Sequence, residues 1–383
     1  MSQRVPVAAT GCNTYEPAHV GAALARLFVR LGAIERWIRP GMRVALKPNL
    51  VMAKAPEKAV TTHPQVVEAV AKAVLAVGAV PVIIDSPGGP AGRGGAGLRA
   101  VYEQTGMADV GRRLGVEVSD DVTTVEVPLD EGSPLRRVTL LKALVEADAI
   151  INLPKIKTHA QMGYTGAVKN LYGAIPGMIK AEYHFRVQDP GAFARLIIAL
   201  NERLRPVLTI MDGIMGMEGD GPTAGAPKQL GCLLASTSTY ALDRVALGLI
   251  GLTGIATDMV AEAEGRIGMP EMVTDGERIR TVPFVPARNG ELNFAAQWLP
   301  SAMANWVSRQ VRPLPVFDPK KCVSCGVCVI SCPATALILK EVPGAVPKLD
   351  KGNCIGCLCC QELCPEGAVA VRRSGMGSLL FAR

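Results

Sequence analysis

Between residues 44 and 251 the chain alternates short continuous apolar runs with longer segments of helical spacing. VALKPNLV (44–51) is an apolar run broken by Lys47, Pro48 and Asn49. PQVVEAVAKAVLAVG (64–78) repeats its apolar residues at helical intervals and ends in glycine, a helix with its stop signal. PVIIDSPGG (81–89) reads as a buried strand that empties into a Gly/Pro loop. LVEADAIINLPKIKTH (144–159) contains a second such strand, and RPVLTIMDGIMGMEGDGP (205–222) a third that ends in acid and glycine. LLASTSTYALDRVALGLIG (233–251) reads as strand, turn and helix. Strands alternating with helices predict an α/β domain, a mostly parallel sheet with helices on both faces. Sites in such sheets form at the C-terminal ends of the strands. The polar runs KPN, DSPGG, PKIKTH and DGIMGMEGDGPT all follow strand-like segments, so each falls at such a position.

A chain of 383 residues exceeds one compact core, so more than one domain is expected. The divisions read from the sequence are an α/β domain over 1–293, a linker helix over 294–314, a small cysteine-rich α+β domain over 315–373 and a flexible tail over 374–383. Aromatic residues are only 4% of the chain, so the core rests on Ala, Val, Leu and Ile. The net charge of +7 is dispersed, with no long Lys/Arg run. That suits a solvated basic surface rather than a nucleic-acid interface, and leaves room for an anionic substrate or an acidic partner. The N-terminus MSQRVPVAATGCNTYEP lacks an apolar core followed by a cleavage site, and no uncharged apolar stretch is long enough to span a membrane. A cytoplasmic location is therefore expected. The joining stretch 291–315 carries Trp298 and Trp306 and reads as a bridging helix; its apolar face beside Arg309 and Arg312 allows a peripheral membrane contact as the other reading.

Nine of the eleven cysteines lie within residues 322–364, which in an intracellular chain argues for metal ligation over disulfides. Cys322, Cys325, Cys328 and Cys332 follow C-x2-C-x2-C-x3-C, with Pro333 next. Cys354, Cys357, Cys360 and Cys364 repeat the pattern, with Pro365 next. A tight loop with three thiolates two residues apart wraps three irons of one cubane. The fourth cysteine, expected at the start of a helix, points to the other cubane. One cluster should take Cys322, Cys325, Cys328 and Cys364, and the other Cys354, Cys357, Cys360 and Cys332. Zinc sites use separated C-x-x-C pairs instead. Cys359, wedged between two ligands, is read as a bystander, and Cys12 and Cys232 as small buried hydrophobes. Over 315–373 the chain resembles the bacterial two-cluster ferredoxins. The resemblance implies two [4Fe–4S] clusters and one-electron transfer at low potential. Gly326 and Gly356 suit loops that turn backbone N–H groups toward sulfur.

The remaining candidates lie in the α/β part. Lys47, inside an apolar strand beside Asn49, either meets an anion or sits in a turn. In TTHP (61–64), Thr62 or His63 caps the helix that begins at Pro64, the other reading being His63 in a site. PKIKTHAQMGYTGAVKNLYGAIPG (154–177) packs Lys155, Lys157, His159, Lys169 and Asn170 among Gly163, Gly166, Gly173 and Gly177. Lysines with glycines that admit close backbone approach suit a phosphate or carboxylate; the bland reading is a loop of solvated lysines. The segment does not match a P-loop, and AGRGGAG (91–97) lacks the dinucleotide order. Asp212, Glu218 and Asp220 either bind a divalent cation or move protons, or simply form turns. Met211, Met215 and Met217 are read as packing residues, and His184 as structural.

Across VALKPNLV, TTHPQVVEAV, DSPGG, the 151–173 run and MDGIMGMEGDGP, the chain also resembles the family called domain of unknown function 362, whose members often carry a C-terminal ferredoxin module. That resemblance implies a cytoplasmic α/β iron–sulfur protein and supplies no reaction. The residues therefore suggest a redox protein whose clusters take electrons from a donor protein and pass them to an anionic substrate or a partner at Lys47, Asn49, Lys155, Lys157, His159 and Lys169. Asp212 or Glu218 would place a cation or move protons. A non-catalytic electron carrier whose front domain docks a partner is the alternative. A non-redox enzyme with structural or regulatory clusters is another.

Overall fold

The structure is a computed structural model that describes residues 4–263, 269–274, 279–287, 313–340, 342 and 344–373. The proposed linker helix, apart from its last two residues, and the proposed tail lie outside the described residues. The strands of the first domain are β1 (Arg4–Gly11), β2 (Arg43–Pro48), β3 (Val80–Ile83), β4 (Glu117–Val118), β5 (Thr124–Pro128), β6 (Arg137–Leu141), β7 (Ala149–Leu153), β8 (Lys155–His159), β9 (Gly163–Thr165), β10 (Leu208–Glu218), β11 (Ala226–Ser236) and β12 (Met269–Thr274). β5 and β6 pair as a separate antiparallel ribbon. The other ten form one sheet in the order β12-β1-β11-β10-β7-β2-β3-β4, with β8 paired to β10 and β9 to β8.

The fold is α/β, as the alternating pattern predicts. β10, β7, β2, β3 and β4 run parallel, while β11 runs antiparallel to both β10 and β1. Side chains of a strand point alternately to opposite faces. Val44, Leu46, Ile151, Leu153, Ile210 and Leu233 therefore meet the helices Pro17–Leu31, Pro64–Ala76 and Gly95–Gln104 on one face. Ala45 and Ile150 face Pro190–Leu204 on the other, and Met211, Cys232 and Leu234 face Thr239–Ile250. Both faces are covered, so these strands read as continuous apolar runs rather than as alternation. Each such Leu or Ile adds about 1.5–3 kcal/mol by leaving water.

Two polar runs for which a loop or turn is one of the readings are strands. Pro154 ends β7 because it has no N–H to donate, yet the chain resumes at once as β8 (KIKTH) alongside β10. The stretch MDGIMGME continues β10 through a bulge between Gly213 and Met215, because β11 supplies its partners; only residues 219–225 turn. The helix cap is His63, whose Nδ1 accepts from the Gln65 N–H at 3.2 Å. Met211 and Met217 are buried packing residues and Met215 is half-buried.

The C-terminal domain is small. β13 (Pro313–Phe317) pairs antiparallel with β16 (Val369–Arg373), and β14 (Leu337–Ile338) with β15 (Lys348–Leu349). One-turn helices cover Val327–Ile330 and Cys359–Glu362. Cys332 and Cys364 follow these turns rather than starting a helix. The small core centres on Cys328, Leu337, Cys360 and Val369. This domain sits on the strand ends of the first. Gln361 Nε2 donates to the Asp220 carbonyl at 3.0 Å, Thr223 Oγ1 to the Glu362 carbonyl at 2.9 Å, and the Lys54 ammonium to the Pro365 carbonyl. Leu363 lies on the Gly88–Gly89 backbone so closely that a Cβ at Gly88 would fall 2.5 Å from its Cδ2.

Candidate functional site

The cysteines fall into two groups. Cys322, Cys325, Cys328 and Cys364 line one cavity together with Phe317, Pro347 and Val369. Burial, and then the charges of Cys357, Cys354, Cys328 and Cys332, hold the Cys360 thiol well above its usual range, so Cys360 lies close to cysteines of both repeats. Gly326 and Gly356 have φ of 74° and 69°, the left-handed region that glycine adopts without strain. The Ala336 and Ala368 N–H groups donate to Cys332 and Cys364 Sγ at 3.3 and 3.2 Å, as thiolate ligands require. Among the described residues no three His, Cys, Asp or Glu side chains converge at the spacing of a single metal ion. Four sulfurs framing a cavity, with a backbone donor aimed at one of them, Cys364, fit a cubane rather than one ion.

A second cavity opens where the strand ends meet the C-terminal domain. Its walls include Asn49, Lys157, His159, Thr165, Lys169, Tyr172, Lys180 and His184; Cys359, Glu362 and Leu363 of the C-terminal domain form part of its lining. Lys157 is fully buried, with its Nζ on Asn49 Oδ1 at 2.6 Å and the Val60 carbonyl at 2.7 Å. Neutral acceptors only partly replace lost water, so burial pushes the lysine down to about 7 despite the Glu362 carboxylate nearby. Lys180 donates to the carbonyls of Ser86, at 2.8 Å, and Ile175, and burial likewise pushes it down to about 7. The Lys169 ammonium lies 5.7 Å from the Tyr172 ring centroid and, among the described residues, makes no hydrogen bond or ion pair.

Burial favours the neutral form of both cleft histidines, His159 and His184. His159 Nδ1 accepts from the Gln161 and Met162 N–H groups at 3.2 and 3.3 Å, so its hydrogen sits on Nε2, which is buried with no hydrogen-bond partner. Burial holds it well below its ordinary range. His184 stacks on Phe193 at 4.4 Å, has an unpartnered buried Nδ1, and is pushed down to about 3 by burial.

Buried polar groups hold this wall in place. Asn49 Nδ2 donates to Asn170 Oδ1 at 3.0 Å, Asn170 Nδ2 to Asn152 Oδ1 at 2.7 Å, and Asn152 Nδ2 to the Ala167 carbonyl at 2.9 Å. Asn49 thus positions Lys157 while tying β2 to β7. Asp243 accepts from the Ala167 and Val168 N–H groups at 2.7 and 2.9 Å and from Tyr164 at 2.9 Å, which fixes the turn that carries Lys169. Its burial pushes the carboxyl up to about 6.

Four expected site residues lie elsewhere. Lys47 does not line the cleft: it pairs with Asp85 at 2.6 Å, both side chains being almost wholly buried. Lys155 pairs with Asp212 at 2.8 Å with neither exposed, and Tyr15 bonds both at 2.8 and 2.9 Å. Asp212 also accepts the His63 N–H at 3.0 Å, and His63 stacks on Tyr15 at 3.6 Å. Glu218 meets Lys228 at 3.4 Å and the Val285 N–H at 2.9 Å. Asp212 and Glu218 are therefore committed to structural partners and do not converge on a cation. Lys180, His184 and Glu362 are cleft residues that sequence reasoning missed. The signal for Lys180 and His184 was their place in the helix Ile179–Arg186, directly after the glycine-rich segment.

These features define an α/β protein joined to an iron–sulfur electron-transfer module, and known proteins agree. Residues 314–365 match the 4Fe-4S dicluster domain. Residues 44–248 match the domain of unknown function 362, and the chain belongs to that family. It is 35% identical over 262 residues to a thylakoid-associated protein of Synechocystis sp., covering 67% of this chain and 78% of the relative. Among solved structures it is similar to the lactate racemase apoprotein of Thermoanaerobacterium thermosaccharolyticum, with TM-score 0.39 and 13% identity, over 62% of this chain and 55% of that one.

Proposed function

We propose that this protein exchanges electrons between two [4Fe–4S] clusters and an anionic small molecule held in the cleft. The clusters, held by Cys322, Cys325, Cys328 and Cys364 and by Cys354, Cys357, Cys360 and Cys332, each supply one electron at a time when bound. One observation carries the reading: Cys359, next in sequence to the ligand Cys360, lines the same cleft as Lys157, Lys169 and Lys180. An anion seated there would lie beside the segment that carries Cys357 and Cys360, which would hold the second cluster. The lysines draw the anion in, the fixed His159 N–H donates to one of its oxygens, and the C-terminal domain excludes water from that side. Cys325 is exposed and its neighbour Val323 is 62% exposed, which supports entry of electrons at the first cluster from a docked protein. The test is a Lys157→Gln/Lys169→Gln double variant with iron content matched to the parent. It should accept electrons from a chemical donor at the parent rate yet lose small-anion binding. Unchanged anion binding refutes the reading, and lost docking of a donor protein instead supports a simple carrier.

A further inference from the structure

Glu362 comes from the C-terminal domain and enters a wall of cations. Its Oε2 stands 3.7 Å from the orphaned His159 Nε2, and its charge acts on both Lys157 and Lys169. The other acid lining the cleft, Asp85, is neutralised by Lys47 at 2.6 Å. Three lysines therefore share one uncommitted carboxylate. That carboxylate is not well bonded: it lies just beyond hydrogen-bond distance of His159, and Lys169 makes no ion pair among the described residues. A group evolved as a structural partner would close these contacts, as Lys47 and Asp85 do.

We propose that Glu362 is a tethered stand-in for the carboxylate of the ligand, which marks the His159–Lys169–Lys157 end of the cleft as a carboxylate subsite. This rests on the reading that the cleft binds a small anion, and it adds the ligand's chemical class and its competitor. An incoming carboxylate takes the His159 N–H and the Lys169 ammonium and displaces Glu362. Because Glu362 lies two residues from each of Cys360 and Cys364, displacement moves the segment that carries the cluster ligands. Occupancy of the cleft is thereby communicated to the C-terminal domain.

Acetate and inorganic phosphate serve as probes, with affinity measured anaerobically on the full chain at matched iron content. The isosteric Glu362→Gln variant removes the competing charge and keeps the packing, so it should bind acetate roughly tenfold more tightly than the parent. Lys169→Gln should lose binding, and acetate should change the electron paramagnetic resonance spectrum of the reduced protein less in Glu362→Gln, where no carboxylate is displaced, than in the parent. Equal or weaker acetate binding by Glu362→Gln overturns the proposal, as does phosphate binding without acetate binding. Neither outcome depends on electron transfer to the ligand. A failure of the redox reading with tighter acetate binding in Glu362→Gln leaves this inference standing.

Discussion

Lys157 and Lys180 should make the proposed anion binding in the cleft steeply dependent on pH, in a window where ordinary lysines do not titrate. Lys157 is fully buried and Lys180 half-buried, each against neutral acceptors, and both are pushed down to about 7 by burial. A group one unit below its pKa is about 90% charged and one unit above it about 10% charged. If the anion needs both ammonium groups, affinity falls roughly a hundredfold between about pH 6 and about pH 8, or about tenfold for each lysine. A bound anion raises both pKa values, so binding at about pH 8 must take up close to two protons, and at about pH 6 almost none. Titration calorimetry of the cluster-loaded protein with acetate, in two buffers of different ionisation enthalpy, reads the uptake directly. Lys180→Met should halve the proton uptake while retaining the iron. Affinity that is level across this range, with no proton uptake at the upper end, refutes the electrostatic account of the cleft.

Further predictions concern stability and assembly. Asp85→Asn leaves Lys47 buried without its counter-ion and replaces with a donor one of the two oxygens that accept from Lys47 at 2.6 Å and from the Leu50 N–H at 2.7 Å; it should cost about 3–5 kcal/mol in chemical denaturation. Between about pH 7 and about 10 the unfolded chain holds more protons than the folded one at Lys157 and Lys180, because folding lowers both. That contribution makes stability rise with pH through the window, and Lys180→Met should flatten the slope in denaturation series. Cys364→Ala should remove about four of roughly eight irons per chain, measured by iron and sulfide analysis, and leave the other cluster's spectrum in place.

Much of this architecture was legible in the sequence, and the rest failed for identifiable physical reasons. Val44, Leu46, Ile150 and Ile151 belong to runs that are apolar on both faces, which is the pattern of a covered parallel sheet. The spacing of eight cysteines announced the cluster module. Lys157, His159 and Lys169, which line one cleft, could be grouped from the sequence because one glycine-rich segment carries all three. Lys47 and Lys155 looked equally exceptional, and they were, but as halves of buried ion pairs. Asp85 and Asp212 lie 38 and 57 residues from them in sequence, so only the sheet register brings the charges together. Glu362 could not be linked to the cleft without the docking of one domain on the other. The helical reading of 294–312 remains an expectation, since those residues lie outside the described part of the chain.

The central claim is adjacency of cleft and cluster, and one measurement addresses it most directly. The relaxation of carbon-13 in carboxyl-labelled acetate is compared between oxidised and dithionite-reduced protein. The account predicts faster relaxation on reduction, abolished in the Lys157→Gln/Lys169→Gln variant. Bound acetate whose relaxation ignores the redox state, or acetate that does not bind, contradicts it.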